Sequence, residues 1–183
     1  AEMTPGELRR VRRRFGMLFQ GGALFDSLTL AENVAFPLRH VARMSRAEID
    51  RRVSECLDAV RLSDAADLLP GALSGGMRKR AALARCIALE PEILLFDEPT
   101  SGLDPDTALA IDELIVGLTR DLGAAAVVVT HDIQSVLRVA SRVVFLHQGR
   151  VHWSGDVSDL AHADDRFVAH FIRAGAYAFP PLS

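Results

Sequence analysis

The 183-residue chain is expected to fold as an α/β domain: a mainly parallel sheet covered on both faces, with a block of helices inserted between two strands. Three observations predict this. Short apolar runs of strand length, Phe15–Phe19, Ile93–Phe96, Ala126–Thr130 and Val143–His147, recur between segments of helical periodicity. Strands that alternate with helices pair in parallel and are buried on both sides. The alternation lapses between about Leu28 and Leu89, where helical patterns follow one another.

Each element has a local reason. Ala1–Arg14 is polar, arginine-rich and helical, without the apolar stretch of a signal peptide. The chain starts without Met, inside that charged segment, so its beginning reads as a cut. Phe15-Gly-Met-Leu-Phe19 suits a buried strand that ends at Gln20, and Gly21-Gly22 breaks it. Residues 28–38 are mixed, and Pro37 is expected to end or kink a helix. Ser45-Arg-Ala-Glu48 is a capping box. The helix it opens carries Ile49, Val53, Cys56, Leu57 and Val60 on one face. Pro70-Gly71 is a turn, and a second helix is expected from Ser74 to about Leu89. After the strand Ile93–Phe96, Asp104 can cap a helix, Pro105 suits its first position, and Gly123 ends it. Its apolar stripe is Ile111, Leu114, Ile115, Leu118 and Leu122. Ile133–Ala140 reads as a helix. Gln148-Gly149 turns the last long strand into Val151–Trp153. An amphipathic helix is expected over Asp165–Arg173, and residues 180–183 form a loose tail. The division is one domain over 1–183, with a helical subdomain at about 28–89, the rest of the α/β core at about 90–155, and a C-terminal helix and tail at about 156–183.

Composition narrows the function classes. A net charge of −3 offers no general attraction to nucleic acid. The basic cluster Arg9-Arg-Val-Arg-Arg-Arg14 reads as a solvated helix face; an anionic membrane leaflet suits it better than DNA. Two cysteines, Cys56 and Cys86, are too few for a disulfide framework, and their apolar helical neighbours point to buried free thiols in a reducing cytosol. No stretch reaches the ~18–20 apolar residues of a membrane span.

Two segments carry chemistry. In Leu73-Ser-Gly-Gly-Met77, a serine and two glycines open a helix. The first N–H groups of a helix are unpaired and partly positive, and glycines let a phosphate approach the backbone. The second segment begins 16 residues after Met77: Ile93-Leu-Leu-Phe-Asp97-Glu98, an apolar strand ending in two acids. Asp97 can hold Mg²⁺ through its water shell beside phosphates. Glu98 can orient and deprotonate a water for in-line attack on a γ-phosphate. Ser101-Gly-Leu-Asp104 follows.

In this order the residues resemble the ATP-binding-cassette (ABC) ATPases, a branch of the P-loop NTPases with a RecA-like core and an inserted helical subdomain. The resemblance runs from a glutamine loop at Gln20 through the signature at Leu73–Met77, the second Walker motif at Ile93–Asp97 and the acid at Glu98. It continues to the loop at Ser101–Asp104 and a switch histidine at His131. It implies ATP and Mg²⁺ as ligands. Gln20 would contact Mg²⁺ or the attacking water. Ser74, Gly75 and Gly76 would bind the γ-phosphate of ATP held by a second subunit, and Asp104 would communicate across that dimer. Glu98 and His131 would be catalytic, with Asp97 on the metal. The remaining histidines, His40, His147, His152, His162 and His170, are read as structural or surface residues.

One departure stands out. The phosphate-binding pattern G-x-x-x-x-G-K-[ST] is absent, and the only lysine, Lys79, lies inside the signature helix. The family places that loop ahead of the glutamine loop, so it is expected upstream of Ala1, and the chain alone is expected to be inactive.

The stretch Phe15–Leu38, with Gly-Ala-Leu-Phe25 directly after the glutamine loop, is similar to the ATPases of bacterial phospholipid and Mce-type lipid transporters. Met77, where many ABC proteins have Gln, agrees. That similarity implies a homodimer on the cytoplasmic face of the inner membrane, a permease docked near Gly21–Phe25, an Mce-domain lipid-binding partner and no nucleic acid. The alternatives are another ABC importer or exporter, or a soluble ABC ATPase of DNA repair or translation. Against repair, only 52 residues separate Gln20 from Leu73, with neither a CxxC nor heptads among them.

Overall fold

The computed structural model describes residues 3–42 and 44–176; the expected tail at 180–183 lies outside them. The chain forms two compact units, Ala1–Val129 and Thr130–Ser183.

The first unit is built on a three-stranded parallel sheet. Its order is β1 (Phe15–Leu18), β2 (Ile93–Asp97), β3 (Ala125–Val129). Register aligns Leu18 with Phe96 and Asp97 with Val129. Between β1 and β2 run α2 (Leu30–Val41), α3 (Arg46–Ala59) and α4 (Gly75–Ile87); α5 (Pro105–Leu122) joins β2 to β3. Ahead of β1 stands α1 (Pro5–Arg13), closed at its start by a Thr4–Glu7 capping box.

The expectation of a sheet covered on both faces fails within this unit. Leu18, Leu94 and Phe96 are buried against helices, whereas Phe15, Met17, Val127 and Val129 on the opposite face are exposed. The reason is topological. Right-handed crossovers between strands taken in the order β1, β2, β3 place every connecting helix on the same face. Phe15–Phe19 is therefore a half-exposed strand rather than a buried one.

Local signals set the helices. Ser45 caps α3 through the predicted box with Glu48, and Ile49, Val53, Cys56 and Leu57 are buried along it. Asp104 caps α5, Pro105 takes its first position, and Gly123 ends it with φ 61° in the left-handed region. Of the two outcomes expected for Pro37, an end or a kink, the end is not seen: it lies inside α2. A proline there removes the N–H that would bond the Asn33 carbonyl, at about 3 kcal/mol. Burial of Leu30, Val34 and Leu38, each 1% exposed or less, contributes roughly 1.5–3 kcal/mol per side chain and outweighs it. A Thr29–Glu32 capping box, present in the sequence as Thr-x-x-Glu, adds to the same side.

Both thiols are free and buried. Burial pushes Cys56 up to about 11 and Cys86 up to about 12, so neither is a thiolate near neutrality.

The second unit holds α6 (Ile133–Val139) and an antiparallel hairpin of β4 (Arg142–His147) and β5 (Arg150–Asp156), followed by α7 (Arg166–Ala176). Its core is Ile133, Val143, Leu160 and Val168. The run expected at Val151–Trp153 is thus the middle of a longer hairpin strand. His147 and His152 pack on the Phe167 ring, and His152 donates to Asp165, which also caps α7 by accepting from the Phe167 and Val168 amides.

Candidate functional site

The parallel pairing of β1 with β2 decides where the predicted residues lie. Both strands end at the same carboxyl edge, which is where open α/β sheets bind ligands. Gln20 follows β1 two residues after Leu18; Asp97 is the last residue of β2, and Glu98 is the next. Gln20 is exposed, and both acids are half-buried. His131 is the second residue of the second unit, after Thr130.

Glu98 has φ 47°, the left-handed region that non-glycine residues rarely adopt. Such a backbone costs on the order of 1–3 kcal/mol and persists only where its surroundings hold it. Here its N–H donates to the Val129 carbonyl at 2.8 Å. Its own carbonyl accepts from the Ser101 amide at 3.3 Å and from Lys79 Nζ at 3.0 Å.

Helix α4 starts at the predicted motif. Ser74 is its N-cap and accepts from the Met77 amide at 3.2 Å, so the serine oxygen satisfies one of the orphan donors. Ser74 is exposed, leaving the first turn open at the surface. Gly76 serves packing as well. A Cβ there would lie 2.6 Å from Thr107 Cγ2, in the first turn of α5. Glycine thus lets the starts of α4 and α5 approach closely, which sets Ser74–Gly76 beside the Asp104 cap. Asp104 accepts from the Thr107 hydroxyl at 2.6 Å and the Thr107 amide at 3.0 Å. Those bonds, the hydroxyl first, hold its carboxyl below the usual carboxylate range.

Two cations of α4 went unread in the sequence. Lys79 is buried, and its Nζ donates to the carbonyls of Gln20 and Glu98. Arg85 donates to the carbonyls of Gly22 at 2.8 Å and Ala23 at 2.7 Å, and its guanidinium lies over the Phe25 ring. No local pattern marks them: they stand 5 and 11 residues after Ser74 and do not share one helix face, and Lys79 stands out only as the sole lysine.

The segment after Gln20 is held from the other side by Asn33, which is completely buried. Its amide oxygen accepts from the Phe25 N–H, and its nitrogen donates to the carbonyls of Phe25, Leu28 and Thr29. Phe25 is 42% exposed and packs on Phe36, which packs on His40. Leu24 is half-buried against the core. The result is a fixed loop with an aromatic surface.

The acids at the end of β2 suit a hard divalent cation by their chemistry. Among the described residues no group of three or more His, Cys, Asp or Glu is placed to hold a metal. A cation there would need water and phosphate oxygens for most of its shell, the mode Mg²⁺ prefers.

Comparison with known proteins agrees with this fold. A family model described as ABC transporter matches residues 1–101. A methionine import ATP-binding protein (MetN 2) of Pseudomonas aeruginosa is 44% identical over 84% of this chain and 46% of its own length. The intermembrane phospholipid transport ATP-binding protein MlaF of Haemophilus influenzae is 42% identical over 93% of this chain and 65% of its own length. The chain therefore spans only about half to two thirds of these relatives. Among solved structures, the dimeric ATP-binding cassette MJ0796 bound to ADP and Pi is 37% identical, with a TM-score of 0.75 over 85% of this chain and 68% of that one.

Proposed function

The chain belongs to the ABC transporter family, and from that premise we propose that it is the catalytic part of an ATP-hydrolysing subunit that drives a membrane permease. The observation that supports this most is the shared carboxyl edge of β1 and β2, where Gln20, Asp97 and Glu98 stand together. Glu98 takes the proton of the attacking water, and Gln20 orients that water. Asp97 would hold Mg²⁺, which when bound neutralises charge on the phosphate oxygens. Ser74, Gly75 and Gly76 present N–H groups to the γ-phosphate of ATP on a second copy. Asp104 stands beside that surface, and His131 contacts the γ-phosphate. Residues 28–89 act as the helical subdomain and 90–155 as the remainder of the core. No helix among the described residues is long and apolar enough to cross a membrane, and the subunit is read as peripheral on the cytoplasmic face of the inner membrane.

The 183 residues contain no G-x-x-x-x-G-K-[ST]. Alone they are expected to turn over no ATP above background, because the β- and γ-phosphates lack their main electrostatic cradle. Phosphate release from the purified chain that Glu98→Gln abolishes would overturn this expectation.

The lipid branch is the finer proposal: phospholipid or Mce-type transport, with an Mce-domain protein as a further partner. Gly-Ala-Leu-Phe25 and Met77 favour it, as does the likeness to MlaF. Methionine import is the second reading, favoured by relatives at 44% identity against 42% for MlaF. Co-purification decides: a permease encoded with an Mce-domain protein supports the first, and a methionine permease the second.

The permease would dock at Gly21–Phe25. Phe25→Asp is expected to leave the melting temperature nearly unchanged, within the few degrees that about 0.5 kcal/mol produces at an exposed site, while co-purification of the permease is lost. Leu24→Asp puts a charge against the core and is expected to lower the melting temperature clearly. If Phe25→Asp also melts early, Phe25 is a packing residue and the docking surface lies elsewhere.

A further inference from the structure

Lys79 is the only lysine in the chain and is 7% exposed. It sits one turn into α4, and its ammonium reaches two loops distant in sequence: the Gln20 carbonyl after β1 and the Glu98 carbonyl after β2. An apolar side chain of the same length would fill this space without the cost of burying a charge. The two carbonyls are ordered acceptors that only a donor at this spot can hold together. The Glu98 carbonyl belongs to the one non-glycine peptide in the region between β2 and α5 that adopts a positive φ.

We propose that Lys79 is a positioning residue: its ammonium locks the Gln20 loop and the left-handed Glu98 peptide to the helix that begins at Ser74. The side chains of Gln20 and Glu98 thereby keep one mutual geometry, and a displacement of either loop is transmitted to α4. Arg85, six residues further along the same helix, extends the grip to Gly22 and Ala23. The segment assigned to permease docking and the residue assigned to water activation are therefore fastened to one rigid rod. Burial lowers the lysine pKa, while Glu98 and then Asp97 oppose that shift and favour the charged form. The inference rests on the roles proposed above for Gln20 and Glu98.

The first test needs no catalysis. Amide hydrogen exchange is compared in the 183-residue chain and its Lys79→Met and Lys79→Arg variants. Lys79→Met keeps the length and loses the donors. It is expected to speed exchange about tenfold or more at residues 20–23 and 98–101 while α3 amides are unchanged. Lys79→Arg keeps donors and should restore protection. If Lys79→Met loosens α3 as well, Lys79→Gln, a shorter donor, carries the comparison. Loss confined to the two loops supports the lock, and uniform loss in both variants overturns it, as does unchanged loop exchange.

The second test measures ATP turnover in a cassette that carries these residues behind a phosphate-binding segment. Lys79→Met should lower kcat about tenfold or more with KM for ATP within about twofold, and Lys79→Arg should recover most of it. A rise in KM with kcat intact would overturn the positioning role. Glu98→Gln serves as the reference. If it leaves turnover intact, the functional reading fails, whereas the exchange result still decides the lock.

Discussion

Glu98→Gln, made in a cassette that carries a phosphate-binding segment ahead of these residues, lowers ATP turnover by about 10²–10⁴-fold, the range spanned by loss of a general base. ATP still binds. The substitution keeps the size of the side chain and removes only its charge and basicity, so the left-handed turn held by Val129, Ser101 and Lys79 survives. Asp97→Ala behaves differently. Asp97 ends β2, and its loss removes the carboxylate placed to hold the cation that accompanies the nucleotide, so binding itself weakens. The two effects are separated by measuring phosphate release and equilibrium nucleotide binding on the same preparations. Glu98→Gln that weakened binding as much as Asp97→Ala would end the division of roles. Glu98→Gln that hydrolysed ATP at the parent rate would end the assignment of Glu98 as the base.

What could be read in advance follows the range of the interaction that decides it. The Ser45–Glu48 box, the Asp104 cap and the Gly123 stop act within one turn of chain, and each stands where the sequence places it. The strand ends that carry Gln20 and Asp97 were legible for the same reason: a short apolar run closes on a polar residue. Pro37 does not end α2 because its local penalty is outweighed by burial of Leu30, Val34 and Leu38, which no local pattern reports. The uncovered face of Phe15, Met17, Val127 and Val129 depends on strand order, which alternation alone leaves open. Lys79 was visible only as the sole lysine. Its partners are 59 and 19 residues away in sequence, and only the fold joins them. For Gly76, the sequence suggested room for a phosphate, while the structure adds contact with Thr107 as a second demand for glycine.

Gly16→Val is expected to be the most destabilising single change at the base of the site. Gly16 lies within β1, where glycine usually weakens a strand and often marks a close approach by another segment. Here the segment is the C-terminal end of α4. A Cβ on Gly16 would lie 2.5 Å from the Cys86 carbonyl oxygen, and 2.9 Å from both Cys86 Sγ and Pro91 Cγ. The first of these is backbone, so no rotamer change relieves it, and the helix must lift from the strand. Overpacking of this kind typically costs about 1–3 kcal/mol, and a β-branched side chain against backbone belongs at the upper end or beyond. The melting temperature should therefore fall by on the order of 10 °C. Gly21→Ala is the control: a Cβ there meets nothing within 4 Å, and its effect should stay within about 0.5 kcal/mol. The consequence reaches past stability, because the seat of α4 on β1 is what brings Lys79 to the Gln20 carbonyl. In Gly16→Val, amides at 20–23 should lose protection together with the C-terminal end of α4, whose Ile87 and Ala88 carbonyls also hold Arg52 of α3. A variant that melts with the parent would mean that α4 does not sit on Gly16, and the lock at Lys79 would lose its foundation.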